Sequence, residues 1–239
     1  MQQEIADEAS ALRRFDGLLT VSEADRDTFA RLYPFDVRGP MHVVATGVDT
    51  EYFAPAAQAS GRDLVFTGSM DWLPNEDAML FFCRDVLPLI RARVPGVRLS
   101  IVGRAPTPAV QRLADGDAGI TVTGRVDDVR PYVRDAAVYV VPLRIGGGTR
   151  LKIFEAMAMG KAVVSTTIGA EGLDVKDGTD VMIADEPDAF ATTVVDLLRD
   201  PSRRNAIGDA ARRLVSAQYD WTVVAGDMER ALCELARVA

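Results

Sequence analysis

Three observations predict an α/β protein built on a doubly wound, mostly parallel six-stranded sheet. Six short apolar runs alternate with helical patterns from residue 63 to about residue 200. Glycine loops follow three of the expected strand ends: Gly68-Ser69, Gly146 to Gly148 and Gly169 to Gly172. The chain has 239 residues, 48% of them hydrophobic, which allows a substantial core. In such sheets ligands bind outside the carboxyl ends of the strands, so the three loops should open on one rim.

Taken in order, residues 1 to 14 read as a polar helix, followed by an apolar run from Phe15 to Val21. Ser22, with Glu23 and Asp25 behind it, opens a second helix that Pro34 ends. Met41 to Ala45 is a strand, and Tyr52 to Pro55 belongs to a connection before a boundary near residues 56 to 62. Leu64 to Thr67 is the next strand. Asn75 to Arg93 is an amphipathic helix with Ala78, Phe82, Val86 and Leu89 on one face. Arg98 to Val102, Ile120 to Thr123, Val138 to Val141, Ala162 to Ser165 and Asp180 to Ile183 are strands. Thr107 to Ala114 and Asp127 to Asp135 are short helices between them. Pro187 to Leu198, Arg203 to Tyr219 and Thr222 to Val238 are the closing helices.

The central unit is the stretch from Val138 to Gly160: strand, glycine loop, helix. Thr149 is the expected N-cap and Gly160 the expected left-handed stop. Leu151, Phe154, Met157 and Ala158 should cover the helix's core face. The helix start offers free N–H groups and partial positive charge, and Arg144, Arg150 and Lys152 add formal charge, which suits a phosphate or diphosphate. Lys152 and Glu155 stand three residues apart. They could form an ordinary surface ion pair of about 0.2–0.5 kcal/mol. Alternatively, Lys152 lies beside a bound phosphate and Glu155 accepts from two ribose hydroxyls, since both carboxylate oxygens accept hydrogen bonds.

Several classes fall away. A net charge of −8 argues against general binding to nucleic acid or anionic membrane. GxGxxG is absent, and no GKS or GKT follows the glycines. His42 is the single histidine, which removes a Ser–His–Asp triad and a histidine-based metal centre. Cys83 and Cys233 read as reduced core residues. The first ten residues lack the apolar core of a signal peptide, and no run reaches the roughly 18 to 20 apolar residues of a membrane span. The expectation is a cytoplasmic protein, with a peripheral place at the inner membrane as the one membrane role left open.

GGGTRLKIFEAMAMGKAVVST, residues 146–166, resembles the carboxy-terminal domain of retaining glycosyltransferases of family four, which have the GT-B fold. GVDTEYF (47–53), VFTGSMDWLPN (65–75) and GRVDDV (124–129) resemble the same family in order and spacing. The resemblance implies a Rossmann-like donor domain over residues 56–239. It makes residues 1–55 the remnant of an acceptor-binding domain and connector, with the last helix packing back toward that segment. Glu155 matches the second glutamate of the family's E-x7-E motif, which binds the nucleotide ribose. Gly147 stands where the first glutamate, a contact to the donor sugar, would fall. Thr149, Arg150 and Leu151 match the helix start whose backbone amides hold the diphosphate, and Gly148 of the glycine loop before them is a further candidate for the donor. Ser69 and Pro74 occupy positions where the family often has arginine and lysine. Arg144 and Lys152 are the candidates to replace that charge and stabilise the leaving group, and Asn75 to supply a polar contact. Arg125 and Val126 lie where the family contacts the base, and Gly68, Ser69 and Glu171 stand near the donor.

The resemblance implies transfer from a UDP- or GDP-sugar to a hydroxyl of a glycan or lipid-linked acceptor, with retention and without a cofactor or obligatory metal. The full-length form would be a hexosyltransferase. Against this stands a non-catalytic nucleotide-sugar-binding or interaction module whose acceptor domain is supplied in trans, or which self-associates. A nucleotide-sugar epimerase is a third reading, disfavoured because such enzymes draw on carboxylates and histidines from both halves.

Overall fold

The structure is a computed structural model that describes residues 8–34, 37, 39–55, 61–146 and 150–238. Its residues divide into two compact units: Met1–Gly47 with Ala217–Ala239, and Val48–Ser216. The division falls a few residues ahead of the 55/56 boundary drawn from composition.

In the smaller unit, β1 (Leu18–Thr20) and β2 (Met41–Val43) form a two-stranded parallel sheet, with Leu18 opposite Met41. Between them α1 (Glu23–Leu32) starts as expected: the Ser22 hydroxyl accepts from the Asp25 N–H, and Glu23 and Asp25 complement the helix's positive end. Tyr33 follows and is buried, its hydroxyl bonded to Glu8. The long helix Trp221–Val238 also belongs here, and His42 Nδ1 stands 3.7 Å from Glu234 on it. Cys233 on this helix is exposed, contrary to its reading as a core residue, because it falls on the polar side of the amphipathic pattern.

The larger unit carries the six-stranded sheet: β3 (Leu64–Thr67), β4 (Leu99–Val102), β5 (Ile120–Val122), β6 (Val138–Val141), β7 (Ala162–Ser165) and β8 (Met182–Ile183). The order is β5-β4-β3-β6-β7-β8, and every neighbouring pair is parallel. β3, β6 and β7 are buried along their whole length, as expected of strands with helices on both faces. The chain runs outward from β3 in one direction and from β6 in the other. Their carboxyl ends therefore form the point where the strand order reverses, the place such sheets use for ligands.

α2 (Leu73–Phe81) begins two residues earlier than the sequence pattern indicated and runs into a π-helical turn, Phe82–Val86, before α3 (Leu87–Arg93). Pro88 accounts for the widened turn: it has no N–H and its ring excludes the ordinary carbonyl position four residues back. The extra residue rotates the following face. Leu87 and Ile90 are buried there, while Leu89, expected on that face, is only half-buried. Phe82 instead packs edge-on against Phe190, ring centroids 5.8 Å apart, fastening this helix to α7 (Pro187–Arg199). The smaller helices are α4 (Pro108–Gln111), capped by Thr107, and α5 (Arg130–Asp135).

The central helix, α6 (Leu151–Ala158), begins one residue later than the expected cap at Thr149 implies: its N-cap position is Arg150, with no side-chain capping bond. The expected cap, Thr149, lies outside the described residues, as do Gly147 and Gly148. Leu151 does not cover the core: it is 40% exposed, and Ile153 is buried with Phe154, Ala156, Met157 and Ala158. Leu151 shares the helical phase of Phe154 and Ala158, but it is the first residue of the helix, at the end that faces the rim. Gly160, at φ +69°, ends the helix as the sequence indicated. The chain closes with α7, α8 (Pro201–Gln218) and α9 (Trp221–Val238).

Candidate functional site

A cleft of about 630 Å³ opens at the carboxyl ends of β3, β4 and β5, all within the larger unit. Thr67, Gly68 and Ser69 come from the end of β3, and Val102, Gly103 and Arg104 from the end of β4. Arg125, Val126 and Val129 follow β5, and Lys152 and Glu155 reach in from α6. The sequence-predicted residues Gly68, Ser69, Arg125, Val126, Lys152 and Glu155 thus meet in one place.

Lys152 is held by two contacts. Its Nζ donates to Asn75 Oδ1 at 2.7 Å and lies 4.2 Å from the centre of the Phe66 ring. Asn75, itself buried at the start of α2, donates from Nδ2 to the Ser69 carbonyl at 2.9 Å. Burial, with Arg150 close by, brings the Lys152 pKa down to about 7, and Glu155 offsets part of that. Burial likewise raises the Glu155 carboxyl above its ordinary value, opposed by Lys152. The ammonium's hydrogen bond goes to Asn75, not to a surface partnership with Glu155.

The turn beneath this pair depends on two glycines. A Cβ on Gly68 would stand 2.8 Å from both Asn75 Nδ2 and Lys152 Nζ. Gly103, at φ +150°, lies so close to the Gly68 carbonyl that a side chain there would run into backbone. Under the cleft the Thr67 hydroxyl meets the Tyr139 hydroxyl at 2.5 Å, and burial pushes the Tyr139 phenol up.

Other expected residues lie elsewhere. Arg144 binds Asp77 through two bonds of 3.0 and 2.6 Å and covers the Phe81 ring at 4.4 Å. It lines a separate hollow with Thr167, Ile168 and Asp185 at the ends of β6, β7 and β8. Ser69 spends its hydroxyl on Asp71 at 2.7 Å. Arg150 sits at the helix start, with burial lowering its pKa and Glu171 opposing, while Glu171 is exposed on the loop after β7. Sequence reasoning missed Arg104 and Gly103. Their signal was available in the rim rule itself, since they follow the end of β4 as Gly68 and Ser69 follow β3. Among the described residues no group of three His, Cys, Asp or Glu is placed to hold a metal, and no helix is long and apolar enough to cross a membrane.

Residues 61–200 match the family model described as glycosyl transferases group 1. The phosphatidyl-myo-inositol mannosyltransferase of Mycobacterium tuberculosis is 33% identical over 207 residues, covering 78% of this chain and 52% of that protein. The chain spans about half the length of that relative. Among solved structures, sucrose-phosphate synthase from Thermosynechococcus elongatus superposes with a TM-score of 0.77 at 20% identity, covering 100% of this chain and 63% of the other. Anabaena Alr3699/HepE, solved in complex with UDP and glucose, gives 0.78 at 15% identity, covering 97% and 67%. These likenesses are of fold, and the fold is the Rossmann-like half of a GT-B architecture.

Proposed function

Since this chain belongs to the group 1 glycosyl transferases, we propose that its larger unit binds a nucleotide-diphosphate sugar in the cleft at the ends of β3, β4 and β5. One observation carries the reading. Lys152 and Glu155, one helical turn apart on α6, both line that cleft beside the reversal of strand order. In this reading the diphosphate lies against Lys152 and the start of α6, beside Arg150; Gly147, Gly148 and Thr149, expected from the sequence to contribute to the same contacts, lie outside the described residues. Glu155 accepts from the ribose hydroxyls, and Arg125 and Val126 border the base. Leu151, exposed at the helix start, flanks the phosphates, and Glu171 the sugar.

Chemically, the leaving diphosphate gains negative charge as the glycosidic bond breaks. A fixed cation in a site withdrawn from water stabilises that charge more than one in solvent would. Lys152 supplies this, without a metal. Arg144, engaged with Asp77, enters as a distal charge on the same rim. The sugar would pass with retention to a glycan or lipid-linked hydroxyl, at a peripheral membrane site if the acceptor is a lipid. The relative's name refers to phosphatidyl-myo-inositol, which favours a lipid acceptor.

Calorimetric titration with UDP and GDP tests the donor site. Micromolar to millimolar binding of one of them is expected; absence of heat and of thermal shift with both at millimolar concentration removes the reading. Full retention of sugar transfer by Lys152→Ala in a radiolabelled-donor assay removes the role given to that lysine.

A further inference from the structure

Asn75 was a candidate for contact with the donor, but both ends of its amide are already engaged. Oδ1 accepts from Lys152 and Nδ2 donates to the Ser69 carbonyl. That pattern permits only one orientation of the amide, because reversing it would set Nδ2 against the ammonium and Oδ1 against a carbonyl oxygen. The side chain is buried at the start of α2, and the Gly68 turn leaves no room beside it. Lys152, on a flexible four-carbon stem, has no comparable constraint of its own.

From this geometry we infer that Asn75 is a positioning residue: it holds the Lys152 ammonium at the carboxyl end of β3 and thereby makes the site selective for a diphosphate over a nucleoside. The inference rests on the donor-site reading for its ligand, not for the clamp itself. A lysine borne by the helix after β6 is brought across to the β3 turn, and a neutral amide from α2 fixes it there without neutralising it. A carboxylate in that place would pair with the ammonium and compete with phosphate. The amide leaves the full charge for the ligand. Around Nζ stand Glu155 on the same helix, Arg150 at its start and Asn75 from α2. Phe66 and Thr67 belong to β3, with Tyr139 of β6 behind Thr67. Arg104 and Arg125 line the same cleft.

Two arms test this. In the ligand-free protein, the Lys152 titration is followed by NMR in wild type, Asn75→Leu and Asn75→Asp. The midpoint should fall in Asn75→Leu, where the charged form loses an acceptor, and rise in Asn75→Asp, where it gains an opposite charge. An unchanged midpoint in both overturns the clamp. In the second arm, calorimetry compares UDP, GDP, uridine and guanosine. Asn75→Leu should lose about tenfold in affinity for the diphosphate that wild type binds, the effect of one charge-assisted hydrogen bond. Its affinity for the matching nucleoside should stay within about twofold. Equal losses for diphosphate and nucleoside overturn the selectivity. If wild type binds neither diphosphate, the donor reading and the selectivity fall together, and the titration arm still decides the clamp. If Asn75→Leu does not fold, Asn75→Asp carries both arms, its carboxylate expected to weaken diphosphate and spare nucleoside.

Discussion

Lys152 and Glu155 stand one turn apart on α6, and burial acts on them in opposite directions: it lowers the lysine's pKa to about 7 and raises the glutamate's. Each is thereby moved toward its neutral form in the ligand-free protein. A bound diphosphate favours the charged lysine, so the empty cleft and the filled one differ in protonation.

The first prediction concerns pH. In the unfolded chain Lys152 keeps its ordinary pKa of 10.5, so between about pH 7 and 10.5 the unfolded state holds the extra proton. Stability from this group therefore rises with pH across that window. Lys152→Met should abolish the rise and increase the melting temperature at pH 7, by about 2–4 °C for each kcal/mol recovered. Diphosphate affinity of the wild type should fall as pH climbs above 7, by at most about tenfold per pH unit for one proton. Thermal melts and calorimetry from pH 6 to 9 check both.

Glu155 gives a second. Glu155→Gln keeps the shape but weakens the acceptor, and should reduce ribonucleotide affinity about tenfold. The variant should lose most discrimination between UDP and its 2′-deoxy form. Its raised pKa carries the opposite sign to that of Lys152: the folded state holds the proton longer, so stability from this group falls as pH rises from the ordinary carboxylate value to the raised one. Glu155→Gln should remove that fall in acid-range melts.

Gly103→Ala supplies a third. Its Cβ would meet the Gly68 carbonyl, and φ is +150°, so neither backbone can yield without strain. A loss of about 2–3 kcal/mol in urea unfolding is expected. The cleft should be disturbed as well, because the strained carbonyl adjoins the turn that seats Lys152.

Arg144 marks the limit of the site. Its pair with Asp77 is partly exposed, the side chains 43% and 26% accessible, so Arg144→Ala should cost no more than about 1 kcal/mol of stability. Diphosphate affinity should stay within about twofold of wild type. A loss as large as that of Lys152→Ala would return Arg144 to direct contact with the donor.

Much of the frame was legible in sequence. β3, β6 and β7 were read to the residue because each is an unbroken apolar run closed by a sharp turn signal. The rim rule brought the Gly68 turn together with the start of the helix that carries Lys152 and Glu155, and the family resemblance added Arg125. The clamp was not legible, since Lys152 and Asn75 lie 77 residues apart and neither residue type specifies the other. Leu151 was misplaced because helical periodicity says nothing about where a first turn meets a loop. Arg144 was grouped with Lys152 by charge and proximity in sequence, while the fold gives it to Asp77. Cys233 was judged from its apolar neighbours alone.

The π-helical turn at Phe82–Val86 sets a tolerance on the gene. It absorbs one residue between Asn75, buried at the start of α2, and Ile90, buried in α3, so that both keep their places. Loss of a single codon within that turn would remove the extra residue and restore a regular helix with both flanks in their present phase. Deletion of one residue at Phe82–Val86 is therefore expected to keep Asn75 on Lys152 and Ile90 in the core, whereas deletion of one residue within α2 or α3 would turn one of them away by about 100°.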